Sequence, residues 1–279
     1  MKAAPACIPC VLGQVLRFAR EVAEDDWLHR KVLEEAMKSL PGSDWGRTPA
    51  EVLTDAFAIA RNTLRVQDPF ATKRKELDLT ALVRELRERL AQAEDPFAFA
   101  TKAATAANVV DALMLNNVDV ALSIRALIDK GFAVGSADDL RTALEPVKKV
   151  LYVLDNAGEA AIDALLIDQI RKLGKEVTVA ARRPGLAHDA TLEDAEAAGI
   201  AGPLIDTGQE PVLAATPVLC GPEYRAAFEA AELVVAKGSA AYETLVHERK
   251  DVIHLLHVKC EPVARTLGAG VSDLVVVRS

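Results

Sequence analysis

Along the first half of the chain, apolar residues recur at three- and four-residue spacing, the period of helices with one buried face. Val11, Leu12, Val15, Leu16, Ala19 and Val22 make one such stripe. Val32, Leu33, Ala36, Met37 and Leu40 make a second, which Pro41-Gly42 stops. Thr48 opens a third helix, with Pro49 in its first position and Glu51 placed to complete a capping box. Leu53, Phe57, Ala60 and Leu64 supply the apolar face of that helix. Leu79, Leu82, Val83, Leu86 and Leu90 mark another, and Pro96 opens one that runs through Thr101, Ala107 and Val110. A last one follows Asn116-Asn117 and ends at Gly131.

From Val150 the pattern changes. Short apolar runs alternate with helical stretches: Val150 to Leu154, Val177 to Ala180, Pro203 to Ile205, Leu233 to Ala236, Val252 to His257 and Leu274 to Val277. Their starts lie roughly 20–30 residues apart, the spacing of βα units. Continuous Val/Leu/Ile runs suit strands of a parallel sheet buried on both faces. The stretch Leu165 to Leu173 stops at Gly174, a residue suited to ending a helix. The expected fold class is α/β: an all-helical N-terminal subdomain over residues 1–148, packed on an α/β sandwich over residues 149–279 with a mostly parallel sheet. The change of period itself fits a boundary anywhere between about 115 and 150. The charge run Lys73 to Glu76 and the stretch Arg84 to Arg89 read as solvated helix faces.

Composition narrows the function classes. In 279 residues, 51% hydrophobic and 27% charged leave enough apolar side chains for a sizeable core and exclude a disordered chain. The net charge of −8 lacks the field of a nucleic-acid binder, and 4% aromatic residues speak against base-stacking platforms. No apolar run approaches the ~18 residues that a membrane helix needs. Met1 to Pro5 leads into an amphipathic pattern, not a signal-peptide core. The expectation is a cytoplasmic protein with neither nucleic-acid nor membrane partners. Cys7, Cys10, Cys220 and Cys260 are too few in such a chain for a disulfide framework. Cys7-x-x-Cys10 has no second CxxC or CxxH to complete a zinc site. The five histidines show no metal-ligand spacing.

The informative feature is where the polar residues fall. Ligands of an open α/β sheet bind beyond the carboxyl ends of its strands. The first expected strand ends in Asp155-Asn156-Ala157-Gly158-Glu159. The second ends in Arg182-Arg183, and its loop carries His188-Asp189. Two later ones end in Lys237-Gly238 and Lys259-Cys260. Carboxylates, an amide and lysines at one rim suit a hard divalent cation such as Mg²⁺ or Mn²⁺ together with a phosphate. Each element also has a plain structural reading. Asp155-Asn156 can cap the next helix, Gly158 can ease the strand-to-helix turn, and Asp189 can be an N-cap. Lys237 and Lys259 can be surface lysines, although each directly follows an apolar strand.

Cys7-Ile-Pro-Cys10, Asp68-Pro69-Phe70 with Lys73, Asn108-Val-Val-Asp111, Asp155-Asn-Ala-Gly-Glu159, His188-Asp-Ala-Thr191, Lys237-Gly238 with Tyr242-Glu243, and Lys259-Cys260 form an ordered series over nearly the whole chain. In order and spacing it resembles the DUF89 family of metal-dependent damage-control phosphatases, in particular the shorter archaeal and bacterial type. The resemblance implies a three-layer α/β/α sandwich with an added helical part. It implies hydrolysis of phosphate monoesters of small metabolites, often sugar phosphates or damaged metabolites, with Mg²⁺, Mn²⁺, Co²⁺ or Ni²⁺. It places the metal on Asp155, Asn156 and Asp189, and makes Lys259 the phosphate-binding lysine. Glu159 falls with the catalytic residues; Asn108, Asp111, Lys237 and Gly158 fall with substrate binding. The chain departs from the family pattern at His188, Ala241 and Ala107, where Asn, Asn and Gly are expected. Ala241 removes a polar group from a position that the pattern sets beside the substrate.

Metal-assisted phosphomonoester hydrolysis is the leading reading, with either a metal-activated water or Asp155 as nucleophile and with Glu159 or Asp111 as acid/base help. The rivals are a binding protein for a phosphorylated metabolite, which Ala241 keeps open, and a methyltransferase using S-adenosylmethionine. The latter has only one glycine in the turn after the first strand. A haloacid-dehalogenase-like phosphatase wants Asp-x-Asp after the strand, where this chain has Asp155-Asn156.

Overall fold

The computed structural model describes the chain except residue 43, residues 67–77 and 111–118, and residues 184, 209–211, 214 and 249. The Asp68-Pro69-Phe70 and Lys73 motif, the charge run Lys73 to Glu76, Asp111 and Asn116-Asn117 therefore lie outside the described residues.

The N-terminal periodicities become helices α1 (Cys7–Val22), α2 (Asp26–Ser39), α3 (Pro49–Leu64), α4 (Thr80–Gln92), α5 (Pro96–Ala107) and α6 (Val120–Lys130). The expected capping box opens α3. The Glu51 N–H donates to Thr48 Oγ1 at 3.2 Å, and the Thr48 N–H donates to Glu51 Oε2 at 2.8 Å. These helices form two packing groups. Helices α1 to α3 meet through Val15, Phe18, Val32, Ala36 and Phe57, all buried, and Phe18 stacks on Phe57 with centroids 5.1 Å apart. Helices α4 to α6 share a second cluster, Leu82, Leu86, Ala103 and Ile124.

The sheet follows: β1 (Phe132–Val134), α7 (Ala137–Leu144), β2 (Lys149–Val153), a 3₁₀ turn (Ala157–Glu159), α8 (Ala160–Lys172), β3 (Glu176–Ala181), α9 (Leu192–Ala197), β4 (Leu204–Asp206), α10 (Pro222–Ala230), β5 (Leu233–Lys237), α11 (Gly238–Leu245), β6 (Val252–His257), α12 (Glu261–Leu267) and β7 (Leu274–Arg278). Seven strands lie in the order β1-β7-β6-β5-β2-β3-β4. The five from β6 to β4 are mutually parallel; β7 runs antiparallel to β6, and β1 runs parallel to β7. Each expected strand is present. β1 is an addition, three residues long, and it brings the sheet upstream of residue 149.

Alternation along the central strands sends side chains to two separate cores. Tyr152, Val179, Val235 and Ile253 face α5, α7 and α8, whereas Leu151, Val153, Val234 and Ala236 face α10 and α11. The result is the expected three-layer α/β/α sandwich with further helices outside it. Cutting Thr48 back to alanine removes the α3 cap. Thr48→Ala is expected to cost about 1 kcal/mol and to lower the unfolding midpoint by about 2 °C, read by calorimetry, with secondary structure unchanged by circular dichroism.

Candidate active site

β2 continues to β3 on one side, while β5 lies against its other side, so the chain reverses its winding between β2 and β5. A crevice opens at the carboxyl ends of strands at such a switch. Asp155 and Asn156 follow β2 there. The loop after β3 is stitched onto them: the Ala190 N–H donates to the Asp155 carbonyl, and the Ala157 N–H to the His188 carbonyl, both at 2.8 Å. A short antiparallel bridge sets Asp189 beside Asn156. Asp189 does not cap the next helix; Thr191 does, in its own capping box with Asp194. Asp189 Oδ2 instead accepts the N–H groups of Leu186 and Ala187 at 2.7 and 2.9 Å, and its Oδ1 lies 3.8 Å from Arg182 Nε.

The turn after β5 closes the other side of the crevice. Gly238 has φ +80°, and a Cβ on it would lie 1.8 Å from Asp155 Oδ2. Only glycine serves here, on both backbone and contact grounds. The Lys237-Gly238 motif thus contributes through its glycine, a role the sequence reading did not assign.

Lys237 itself does not reach the rim. It is fully buried beneath the turn, and its ammonium donates to Glu159 Oε2 at 2.7 Å and to Asp163 Oδ1 at 2.6 Å. Glu159, also fully buried, accepts the Asn156 backbone N–H at 3.0 Å, Asn156 Nδ2 at 2.8 Å and Asn108 Nδ2 at 3.0 Å through Oε1. Asn108 Nδ2 also donates to Asp155 Oδ2 at 2.8 Å, and Asn108 Oδ1 accepts the His257 N–H at 3.2 Å. Tyr152 completes the network by donating to Asp163 Oδ1 at 2.8 Å. Glu159, Lys237 and Asn108 therefore stand behind the site as positioning groups. Glu159 has no exposed surface from which to exchange a proton with a substrate.

Asp155, Asn156, Asp189 and Lys259 line one cavity of about 160 Å³, together with His188, Ser239 and Glu243. Helices α1 and α3 supply the facing wall, including Cys7, Cys10 and Phe57, and Cys260 joins it from the start of α12. Gly158 faces elsewhere, into a separate groove with Leu79, Arg84 and Ala161. Ala241 is 1% exposed and packs with Leu151, Val153 and Leu245 on the sheet. An alanine at 241 thus packs against the sheet and does not line the cavity. The sequence offers Glu243 only within the Tyr242-Glu243 motif, with no role of its own. It lies in the cavity wall, and its carboxyl is pushed up to about 7 by burial, against the lowering pull of the N-terminal ammonium and the Ala50 N–H.

The donor set fits a hard divalent cation. Burial, then Glu159, then Asp189 push the Asp155 carboxyl up to about 6, with Lys259 and Asn108 pulling it back. Burial likewise raises Asp163 against Lys237. Burial, ahead of the neighbouring charges, therefore disfavours the ionised form of both acids. Asp155 Oδ2 accepts both amides, so Oδ1 remains for a cation; the Asn156 NH₂ is taken up by the two acids, so its oxygen remains. Folding therefore opposes ionisation of Asp155: stability is lost as pH rises from about 4 through 6. Without divalent cations, Asp155→Asn is expected to unfold at a higher temperature than the wild type at pH 7.5, and the gap is expected to narrow as pH falls through 6 toward 4. Mn²⁺ is expected to raise the wild-type midpoint at pH 7.5 and to leave the variant nearly unmoved, both read by thermal denaturation.

The chain is similar to known proteins over nearly its whole length. Residues 3–275 match the damage-control phosphatase ARMT1-like domain. A damage-control phosphatase of Archaeoglobus fulgidus is 31% identical, with 99% of this chain and 98% of the relative covered. One of Pyrococcus horikoshii is 28% identical over 100% of this chain and 99% of the relative. The crystal structure of a DUF89 protein from Pyrococcus horikoshii superposes with a TM-score of 0.86 at 27% identity, covering 100% of this chain and 99% of the other. With the family domain spanning all but its ends, the chain belongs to the ARMT1-like damage-control phosphatase family, DUF89.

Proposed function

We propose that this protein is a metal-dependent phosphatase that hydrolyses phosphate monoesters of small metabolites. The observation that carries the reading is the meeting of Asp155, Asn156, Asp189 and Lys259 in one cavity at the switch point of the sheet. The names of the Archaeoglobus and Pyrococcus relatives point to the same activity on damaged metabolites.

Asp155, Asn156 and Asp189 would hold Mg²⁺, Mn²⁺, Co²⁺ or Ni²⁺. Such a cation, when bound, neutralises charge on the phosphoryl oxygens. Lys259 binds a phosphoryl oxygen through a charge-assisted hydrogen bond. Asn108 orients the Asp155 carboxylate, and Glu159, fixed by Lys237, orients the Asn156 amide. Helices α1 and α3 cover the substrate and exclude water from it. The S-adenosylmethionine reading has no support in this geometry, because the one glycine of the turn faces another groove.

After chelation and metal re-addition, phosphate release from p-nitrophenyl phosphate and a panel of metabolite phosphates is expected with at least one of the four cations. Asp155→Ala is expected to lower kcat/KM about 100-fold or more. Lys259→Ala is expected to lower it about 10- to 100-fold, the worth of one charge-assisted hydrogen bond. Turnover that survives both chelation and Asp155→Ala would refute the assignment. So would a wild type that is silent with all four metals.

A further inference from the structure

The cavity has a polar end and a wall of different character. Asp155, Asn156, Asp189 and Lys259 provide the first. Much of the rest comes from α1, α3 and the loop at residue 213: Val11, Pro49, Leu53, Phe57 and Leu213. Polar groups on this wall are few: Glu243 and Gln14 have partners within the protein, while the buried Ser239 Oγ has none among the described residues. The Glu243 carboxylate accepts the Ala50 N–H beside the N-terminal ammonium. Gln14 Nε2 turns to Cys10 Sγ at 3.7 Å. Cys7, Cys10 and Cys260 add thiols, which are weak donors and weak acceptors.

A sugar phosphate brings a hydroxyl on almost every carbon. Each hydroxyl stripped of water needs a partner, and an apolar wall supplies none. Among the described residues, Gln14 and Ser239 are the neutral hydrogen-bonding side chains of the lining outside the Asp-Asn-Asp group and His188. An apolar organic group gains instead, in proportion to the surface it buries. The volume is small as well. The cavity of about 160 Å³ includes the polar end that would take the phosphate, so its apolar part leaves room for no more than one ring or a short chain.

Resting on the phosphatase reading above, we propose that this site takes phosphate monoesters of small, sparsely hydroxylated alcohols, with one ring or a short alkyl chain, in preference to sugar phosphates. The wall formed by α1 and α3 is the specificity element, and Leu53, half-buried on α3, is the residue through which it is best tested.

The test uses esters of primary alcohols, so that leaving-group chemistry is matched: benzyl phosphate, butyl phosphate and glucose 6-phosphate. Binding is measured in parallel by calorimetry in Mn²⁺, with benzylphosphonate against the phosphonate isostere of glucose 6-phosphate. The expected result is kcat/KM at least about tenfold higher for the benzyl and butyl esters, and benzylphosphonate affinity higher by a similar factor. Leu53→Asn is expected to shrink both ratios to about threefold or less. A wild type that treats the two classes alike, or prefers the glucose derivatives, overturns the proposal and leaves the phosphatase reading standing. Preferential binding of benzylphosphonate with no turnover of any ester supports the apolar specificity and sinks the phosphatase reading.

Discussion

The site is held in place by one buried ammonium. Lys237 is sealed between β5 and α8 with Glu159 and Asp163, both as fully buried as the ammonium itself. Such an assembly is poor evidence of stability, since desolvation offsets much of the Coulomb gain. Its value is geometric. Glu159 can sit inside the protein as an acceptor because Lys237 is there, and one of its oxygens fixes the backbone and side chain of Asn156 and the amide of Asn108. Asn108 in turn orients Asp155. The end of α5, the segment from β2 into α8, and β5 are thereby locked to one another around the turn after β2. Each polar group in that lock makes its neighbour's orientation more certain, which is what a metal or phosphate site needs.

The same lock buries two acids whose ionised forms the fold disfavours. Asp155 and Asp163 are both raised by burial, and Asp155 also feels Glu159 and Asp189. A fold selected for stability alone would not stack these acids. It would also not thread a glycine with φ +80° so close to Asp155 that no side chain fits. Both features are intelligible if the carboxylate must stand free on one oxygen, with the backbone of the next turn pressed against it. This is the usual cost of a preorganised site, a local destabilisation that ligand binding relieves.

Much of this was legible in the sequence, and the exceptions have physical causes. The five longer strands announced themselves as apolar runs, and the three-residue β4 was legible through its place in the βα spacing. Phe132–Val134 was not, since its three residues between two glycines follow a helical stretch and precede the first regular βα repeat. Asp155, Asn156, Asp189 and Lys259 could be placed at one rim from strand ends alone. Lys237 misled because it reads as the residue after a strand, whereas β5 runs through it. Counting by two corrects the error: Leu233, Val235 and Lys237 share the face toward α8, where Asp163 and Glu159 wait. Ala241 misled in the opposite sense, because a helix position three residues past Gly238 turns to the sheet and not to the cavity. The demand on Gly238 was invisible, since it arises from contact with a residue far away in sequence.

The apolar stripes of α1 and α3 carry two duties that the sequence shows as one. Phe57 is 1% exposed and stacks on Phe18 in the core of the first three helices, yet it also lines the cavity. Val11 belongs likewise to that core and to the wall. A stripe wide enough to bury one helix against two others therefore extends, without any change of residue type, into the wall of the cavity. Polar residues could be introduced at these positions only by disturbing the packing of α1 against α3. Leu53 and Gln14, at the margin of the stripe, are where the chain is free to alter what it binds without loosening how it folds.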